Sequence, residues 1–310
     1  MKKITAMILA LLLLITILSG CAEAPEKKSA HTVISTIFAP YDFARNVADE
    51  DFEVSMLLKP GVDIHSFEPT PKDIIAIENC DLFIYVGGES DEWVEDLLSS
   101  MENVRTLRLM DCVDVLDEEI REGMDAEEEE EEEGPEPDEH VWTSPENAVR
   151  ITRAIADALI KIEPAHKAQI ETRCASYIEK LEALDRRFAA IVENGARKTV
   201  VFADRFPMRY FTEAYGLSYY AAFPGCASNT EPSAAAVRFL IEQVKDSAIP
   251  VVFYTEFSNQ KMADTICEST GAKKLRMHSC HNVSREDYDK GLGYLDLMEE
   301  NAKALEEALN

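Results

Sequence analysis

The stretch HTVISTIFAPYDFARNVADEDFEVSMLL, residues 31–58, contains two apolar segments separated by a more polar one. HTVISTIF and FEVSMLL are typical of strands, and YDFARNVAD between them is typical of a short helix. A strand, a helix and a second strand in this order predict a parallel pair, because the helix returns the chain to the end of the sheet where it started.

The same alternation of strands and helices continues along the chain. The further predicted strands are DLFIYVGG and VRTLRLM in the first half, and KTVVFA, LSYYAAF, PVVFYT and KKLRM in the second half. Helical segments such as DEWVEDLLSSM and PSAAAVRFLIEQVKD lie between them. The sequence therefore predicts an α/β protein with two domains, each built on four mainly parallel strands.

A long amphipathic helix is predicted between the two domains, over residues 144–195. Ser144 suits its N-cap and Pro145 its first position, and apolar residues then recur every three or four positions. Pro164 lies within this pattern and should kink or briefly break the helix. At about 1.5 Å per residue, the helix is long enough to lie beside both domains.

The N-terminus, MKKITAMILALLLLITILSGC, has the basic start, apolar middle and small-residue end of an export signal. Its LSGC ending resembles a bacterial lipoprotein signal, which implies a signal peptide over residues 1–20 and a lipid on Cys21. Residues 21–30 are polar and form a tether. We therefore expect an extracytoplasmic protein that is lipid-anchored to the cell membrane; the alternative is an uncleaved anchor.

The chain is strongly acidic, with a formal net charge of −28 at pH 7. This charge argues against nucleic acid or an anionic membrane surface as the partner, because both would repel the protein. Cations are the natural counterpart.

Residues 117–139 contain fifteen acidic residues and one base, Arg121. So little apolar content predicts a disordered acidic loop. Its glutamate run, residues 127–133, is either a solvated segment without a specific role or an electrostatic antenna for cations.

Candidate metal ligands follow several predicted strands, where ligands bind in open α/β sheets. They are His65, Asp204, Glu256, His278 and His281, to which we add His140 just before the long helix. Neutral imidazoles suit zinc above copper, nickel or manganese. The sequence has no HExxH motif, nucleophile elbow or Walker A loop, so we do not expect an enzyme.

Four segments resemble the metal-specific substrate-binding proteins of bacterial ABC transporters, in their zinc/manganese cluster. They are PGVDIHSFEPTPKDI, DEHVWTSPENA, FYTEFSNQKMADTICESTGAKKL and GYLDLMEENAKALEEAL. The resemblance implies two α/β lobes, residues 31–143 and 196–310, joined by one long rigid helix. It also implies that one metal ion binds in the cleft between the lobes and is delivered to a membrane permease.

The resemblance also implies a ligand set, with His65 and His140 at two family ligand positions. The third position falls at Arg205, a permanent cation that does not ligate zinc. The fourth falls at His278, which we favour as a ligand over the remaining candidates. A further ligand is left open among His281, Asp204, Glu231 and Glu256. Three histidines favour Zn²⁺ over Mn²⁺.

Cys226 and Cys280 follow predicted strands of the second lobe. We hypothesise a disulfide between them that fixes the loop carrying His278 and His281; the alternative is two unpaired thiols.

The predicted function is capture of Zn²⁺ by a monomeric lipoprotein and its delivery to an ABC permease. One alternative is an exported zinc-dependent hydrolase that uses Glu256 as its base. The other is a metal-binding surface adhesin or metal store.

Overall fold

The computed structural model describes residues 31–62, 67–101, 103–125, 136–225 and 232–310. The first sheet has the order β2-β1-β3-β4 and the second has the order β6-β5-β7-β8. The strands are β1 (His31–Ser35), β2 (Phe52–Met56), β3 (Leu82–Tyr85), β4 (Thr106–Arg108), β5 (Thr199–Arg205), β6 (Ser218–Phe223), β7 (Val251–Tyr254) and β8 (Lys273–Arg276). Every recorded pairing within them is parallel, which confirms the predicted two-lobe α/β fold.

Helices cover both sheets. In the first half they are α1 (Phe38–Val47), α2 (Pro71–Glu78), α3 (Glu92–Ser99), α4 (Pro145–Ile162) and α5 (Lys167–Asn194). In the second half they are α6 (Arg209–Tyr215), α7 (Ala234–Asp246), α8 (Lys261–Thr270), α9 (Arg285–Asp289) and α10 (Tyr294–Leu309). In the described part of the chain, none of these helices is both long and apolar enough to cross a bilayer. The predicted signal peptide, the tether and Cys21 lie outside the described residues.

The long helix predicted over residues 144–195 is two helices. Ser144 caps α4 as expected, by accepting a hydrogen bond from the Asn147 N–H. However, α4 ends at Ile162, and Pro164 starts a short 3-10 turn before α5 begins. The chain then folds back, so that the Cys174 Sγ in α5 lies 4.0 Å from the Thr152 carbonyl oxygen in α4. A proline lacks the N–H that would continue the hydrogen bonds of α4, which favours the end of the helix at this point.

The turn between α4 and α5 is held against the first lobe by His166. Its Nδ1 lies 2.6 Å from Asp49 Oδ2, and its Nε2 lies 3.3 Å from Asp51 Oδ2. These two carboxylates precede β2, so the hairpin of α4 and α5 is fastened to the end of the first sheet.

Helix α5 leads into the second sheet, and its apolar face is part of a core shared by both lobes. Phe188 is fully buried there and packs edge-on against Phe211 at 4.8 Å between ring centroids. Burying a phenylalanine side chain of this kind stabilises the fold by roughly 1.5–3 kcal/mol.

Part of the predicted disordered loop is folded, and we call residues 117–125 the acidic strap. Asp117 forms an antiparallel bridge with Pro137, and the Glu118 N–H donates to the Glu136 carbonyl at 2.6 Å. The expectation of disorder over residues 117–139 is therefore wrong for the strap and for residues 136–139. The glutamate run belongs to residues 126–135, which lie outside the described part.

The acidic strap is folded because its charges meet partners on the second lobe. The Arg121 guanidinium lies 3.9 Å from the centroid of the Tyr219 ring. The Asp125 carboxylate accepts hydrogen bonds from the Ser233 N–H at 2.6 Å and hydroxyl at 2.7 Å. The strap therefore links the first lobe, from which it leaves, to the second.

Candidate metal centre

His140 enters the site from the first lobe, on the segment that leads into α4. A 3-10 turn over Val141–Thr143 follows it, and the Thr143 hydroxyl donates to the His140 carbonyl at 2.8 Å. The imidazole is buried and borders a cavity. The beginning of α4 thus fixes the backbone from which this side chain projects.

The Asp138 carboxylate orients the His140 ring. Asp138 Oδ1 accepts the His140 backbone N–H at 2.8 Å and lies 3.2 Å from Nδ1. Because a carboxylate oxygen accepts hydrogen bonds, this contact favours the tautomer with its proton on Nδ1 and leaves the lone pair on Nε2. Carboxylate–histidine pairs of this kind orient metal-ligating histidines in many proteins.

His281 enters the site from the loop after β8. Cys280 before it adopts a left-handed conformation with φ of 58°, which is uncommon for residues other than glycine. The His281 ring centroid lies 5.3 Å from that of His140, and the two planes are nearly perpendicular at 85°. Both imidazoles border the same cavity.

Glu139 places a carboxylate beside the two imidazoles. One ligand atom from each of Glu139, His140 and His281 lies within 4.8 Å of the others. The Glu139 carboxylate is held by Ser90, whose hydroxyl donates to Oε1 at 2.6 Å and whose N–H donates to Oε2 at 3.0 Å. Gly88 allows this approach, because an added Cβ would lie 2.4 Å from the Glu139 Cβ.

Trp142 packs against both imidazoles, with ring centroids 5.5 Å from His140 and 4.9 Å from His281. Its indole N–H donates to the Ser279 carbonyl at 2.8 Å, and its own carbonyl accepts the Tyr294 hydroxyl at 2.7 Å. Trp142 therefore joins the segment that carries His140 to the loop that carries His281.

The cavity has a volume of about 420 Å³, and much of its lining belongs to the second lobe. Asp204 and Arg205, at the end of β5, border it, as does Glu256 after β7. The Asp204 Oδ2 accepts the Thr255 hydroxyl at 2.8 Å. The Glu256 carboxylate accepts the Ser279 N–H at 2.9 Å and hydroxyl at 2.7 Å. Both carboxylates are thus already oriented by neighbouring donors.

The structure brings His281, and not His278, to the cavity beside His140. His278 is buried but does not border the cavity, and its Nδ1 accepts the Cys280 N–H at 3.0 Å. Its backbone N–H and carbonyl are both bonded to the Asn301 amide, at 2.7 Å each. The turn at Cys280 directs only the second histidine of the loop toward His140.

Several predicted residues lie outside the described part of the chain: His65, Glu231 and Cys226. Since Cys226 lies outside the described residues, the hypothesised disulfide stays a prediction; Cys280 carries a free thiol in the structure. That thiol is fully buried in the shared core, away from the cavity. Cys280 therefore acts as an apolar core residue.

Sequence reasoning missed Asp138 and Glu139 as parts of the site. The signal was present, since both immediately precede His140 in the segment DEH. Their position in a dense acidic run concealed it, because the whole run was attributed to a solvated loop.

The pKa values of His140 and His278 are shifted in opposite directions. Burial lowers the pKa of His140, but the charges of Asp138, Glu139 and Glu118 outweigh it and leave the pKa above its usual value. Burial dominates at His278 and lowers its pKa. His140 therefore has the higher proton affinity of the two.

A buried carboxyl group also lies close to the site, on Asp91. Burial, followed by the charge of Glu139, raises the pKa of Asp91 to about 7. Its Oδ2 accepts the Val86 N–H at 2.6 Å. Asp91 thus adds a second acidic group behind Glu139.

A second group of possible metal ligands consists of Asp49, Asp51 and His166. Both ring nitrogens of His166 already face a carboxylate there. These three residues therefore hold the α4–α5 turn against the first lobe.

The site therefore offers two buried imidazoles and one carboxylate from two different lobes. Nitrogen ligands with carboxylate oxygens suit borderline divalent metals, zinc above all. The oriented Nε2 of His140 makes this chemistry available without rearrangement of that ring.

Comparisons with known families and sequences find proteins similar to this chain. A family profile described as "ZnuA: Zinc-uptake complex component A periplasmic" matches residues 33–308. The zinc-binding lipoprotein AdcA of Streptococcus pneumoniae serotype 4 is 30% identical over 309 residues, which cover 99% of this chain and 61% of AdcA. The high-affinity zinc uptake system protein ZnuA of Bacillus subtilis is 30% identical over 301 residues, covering 94% of each protein. The chain thus spans about three fifths of AdcA but nearly all of ZnuA.

Two solved structures are similar over most of the chain. The Zn(II)-bound ZnuA-like domain of S. pneumoniae AdcA has a TM-score of 0.76 and 28% identity, covering 91% of this chain and 99% of that one. The metal-dependent lipoprotein YcdH from B. subtilis has a TM-score of 0.77 and 29% identity, covering 90% and 100%.

Proposed function

Since this chain belongs to the ZnuA family of periplasmic components of zinc-uptake complexes, we propose that it captures Zn²⁺ outside the cytoplasm and delivers it to an ABC permease. The observation that carries the proposal is the pair of buried imidazoles, His140 and His281, 5.3 Å apart at one cavity. The names of the relatives, which refer to zinc binding and zinc uptake, support zinc as the cargo.

The proposed ligands are His140 and His281, with Glu139 as the adjacent carboxylate and His65 as a further imidazole. His65 remains a prediction, but the chain just before it contacts the His281 loop. The Asn282 side chain donates to the Lys59 carbonyl at 2.8 Å and to the Val62 carbonyl at 2.7 Å. Three imidazoles favour Zn²⁺ over Mn²⁺.

The protein acts as a monomeric binding protein and not as an enzyme, held at the membrane by a lipid on Cys21. The hydrolase alternative would need Glu256 as a base, yet both of its oxygens accept hydrogen bonds from Ser279. In this proposal the chain supplies cargo to the permease and does no chemistry on it.

Calorimetry and metal analysis of the purified full-length protein test this function. We expect one tightly bound zinc per chain, and a loss of affinity in His140→Ala and His281→Ala of more than about tenfold. Even the partners of metal ligands contribute roughly 10- to 100-fold. His31→Ala is the matched control, because His31 pairs with Asp81 and Glu163 and does not border the cavity. The site is wrong if both ligand variants retain zinc as the wild type does.

A further inference from the structure

Away from the cavity, a second group of described residues is arranged as metal ligands are. It consists of Asp49, Asp51 and His166, each of which places one ligand atom within 4.8 Å of the other two. Asp49 and Asp51 precede β2, and His166 ends the 3-10 turn between α4 and α5. None of the three borders the cavity beside His140. They therefore form a separate cluster on the first lobe.

The two ring nitrogens of His166 make different contacts. Nδ1 lies 2.6 Å from Asp49 Oδ2, and in the neutral ring this short contact places the proton on Nδ1. Nε2 then carries the lone pair, and it lies 3.3 Å from Asp51 Oδ2. A carboxylate oxygen and an unprotonated nitrogen are both acceptors, so this second contact is unfavourable unless a cation joins them. A proton can do so, and so can a metal ion.

The distance of 3.3 Å between Nε2 and Asp51 Oδ2 matches the spacing of two zinc ligands. Zinc holds nitrogen and oxygen ligands at about 2.0–2.1 Å, so two ligands of a tetrahedral ion are about 3.3 Å apart. Asp49 contacts the opposite nitrogen, as Asp138 does at His140. Carboxylates in this position orient metal-ligating histidines. The cluster therefore repeats the carboxylate–imidazole arrangement of the cavity.

The surroundings of the cluster favour a cation and give it access. A third carboxylate, on Glu163, belongs to the same turn as His166, and its Oε2 lies 3.6 Å from His31 Nε2. Several carboxylates close together attract a divalent cation. The side chains of His166 and Asp51 are 28% and 47% exposed. A cation therefore reaches them directly from solvent, without entering the cavity.

We propose that this cluster is a second zinc site, in which His166 Nε2 and the Asp51 carboxylate bind the ion and Asp49 orients the imidazole. The ion joins the segment before β2 to the α4–α5 turn, so its binding stabilises the packing of the helix hairpin on the first sheet. Because its ligands lie at the surface, the site exchanges its ion with solvent and binds zinc more weakly than the cavity. The inference goes beyond the proposed function and does not depend on it.

Calorimetric titration of the full-length protein with Zn²⁺ at about pH 8, where an ordinary histidine is neutral, tests the proposal. We expect a weaker second binding event after the tight one. His166→Asn and Asp51→Asn should each weaken the second event by more than about tenfold, and Asp49→Asn by about tenfold, without changing the tight event. Asp264→Asn is the matched control, because its carboxylate is 52% exposed and pairs with Lys274 on the second lobe.

Nitrogen-15 NMR of protein with labelled histidines locates the second ion, since the chain has six histidines. The signals of His166 are identified by their disappearance in His166→Asn. Once the tight site is filled, further zinc should shift the Nε2 signal of His166 and leave its Nδ1 protonated. A role limited to holding the turn predicts no such shift.

The outcomes separate this proposal from the proposed function. The absence of a second event, its persistence in both His166→Asn and Asp51→Asn, or an unchanged His166 Nε2 signal would overturn the second site. If His166→Asn does not fold, the exposed and conservative Asp51→Asn decides alone. Loss of the tight event in His140→Ala with the second event retained supports two separate sites. If the wild type binds zinc at His166 but has no tight event, the proposed function fails and the second site stands.

Discussion

The hydrogen bond between Asp138 and His140 gives the sharpest prediction about metal affinity. In Asp138→Asn the amide oxygen can still accept from the His140 backbone N–H and Nδ1, now 2.8 and 3.2 Å from Asp138 Oδ1. What is lost is the negative charge. Hydrogen bonds to charged groups contribute about 1.5–3 kcal/mol and neutral ones about 0.5–1.5 kcal/mol, so the difference is roughly 1 kcal/mol. Because about 1.4 kcal/mol is tenfold in affinity, we expect zinc to bind roughly five- to tenfold more weakly.

The same substitution should make zinc binding less sensitive to acid. Metal binding requires neutral His140, and the Asp138 charge is the largest influence that raises the pKa of this imidazole. Wild-type affinity should therefore fall as pH decreases through this raised pKa. Without the charge the pKa decreases, so protons compete only at lower pH. The affinities of wild type and variant should converge on acidification.

Competition with a zinc indicator from about pH 8 to about pH 5.5 measures both effects, because this range spans the ordinary histidine pKa. Asp246→Asn, an exposed change at the end of α7, is the matched control. If Asp138→Asn binds zinc as tightly as the wild type at the upper pH, or if its affinity changes in parallel with the wild type, Asp138 does not orient His140 as described.

Three further predictions concern stability. His278→Ala should lower the free energy of unfolding by about 1–3 kcal/mol, because the buried Cys280 N–H loses its acceptor, while zinc affinity measured by calorimetry stays near wild type. His166→Asn should lower the melting temperature most at acidic pH. The hydrogen bond with Asp49 is the main cause of the raised His166 pKa. The stabilisation that it gives is therefore complete below the unfolded-state pKa and disappears as pH rises through the folded-state pKa. Equal differences in melting temperature at all pH values would contradict this. Arg121→Ala should lower the unfolding free energy by about 0.5–2 kcal/mol through the lost contact with Tyr219, as measured by urea denaturation; an unchanged midpoint would show that the acidic strap is held by other contacts.

The fold was predictable from sequence because its information is local. The alternation of apolar strands with amphipathic helices is visible within each segment, and it predicts parallel sheets without knowledge of distant contacts. Pro164 likewise marked the break in the helix. The chain reverses there with His166 in contact with Asp49, 117 residues away, and no local pattern shows that contact.

The site was only partly predictable for the same reason. His140 precedes a well-marked helix start, so its place was clear. His278 and His281 both follow β8, and the backbone conformation at Cys280 determines which of them faces the cavity. The acidic strap was misjudged because composition counts its charges but does not reveal partners such as Tyr219, which lies 98 residues after Arg121 in the chain.

The acidic strap also bears on how copies of this protein behave beside one another. Strand β6 is the outermost strand of the second sheet, and an exposed outermost strand can pair with a strand of another molecule. The Asp125 N–H donates to the Ala222 carbonyl at 2.9 Å, and the Arg121 guanidinium lies 3.4 Å from the Tyr219 carbonyl. Both carbonyls belong to β6. The acidic strap thus also covers part of the outermost strand, through which copies of this protein could otherwise pair.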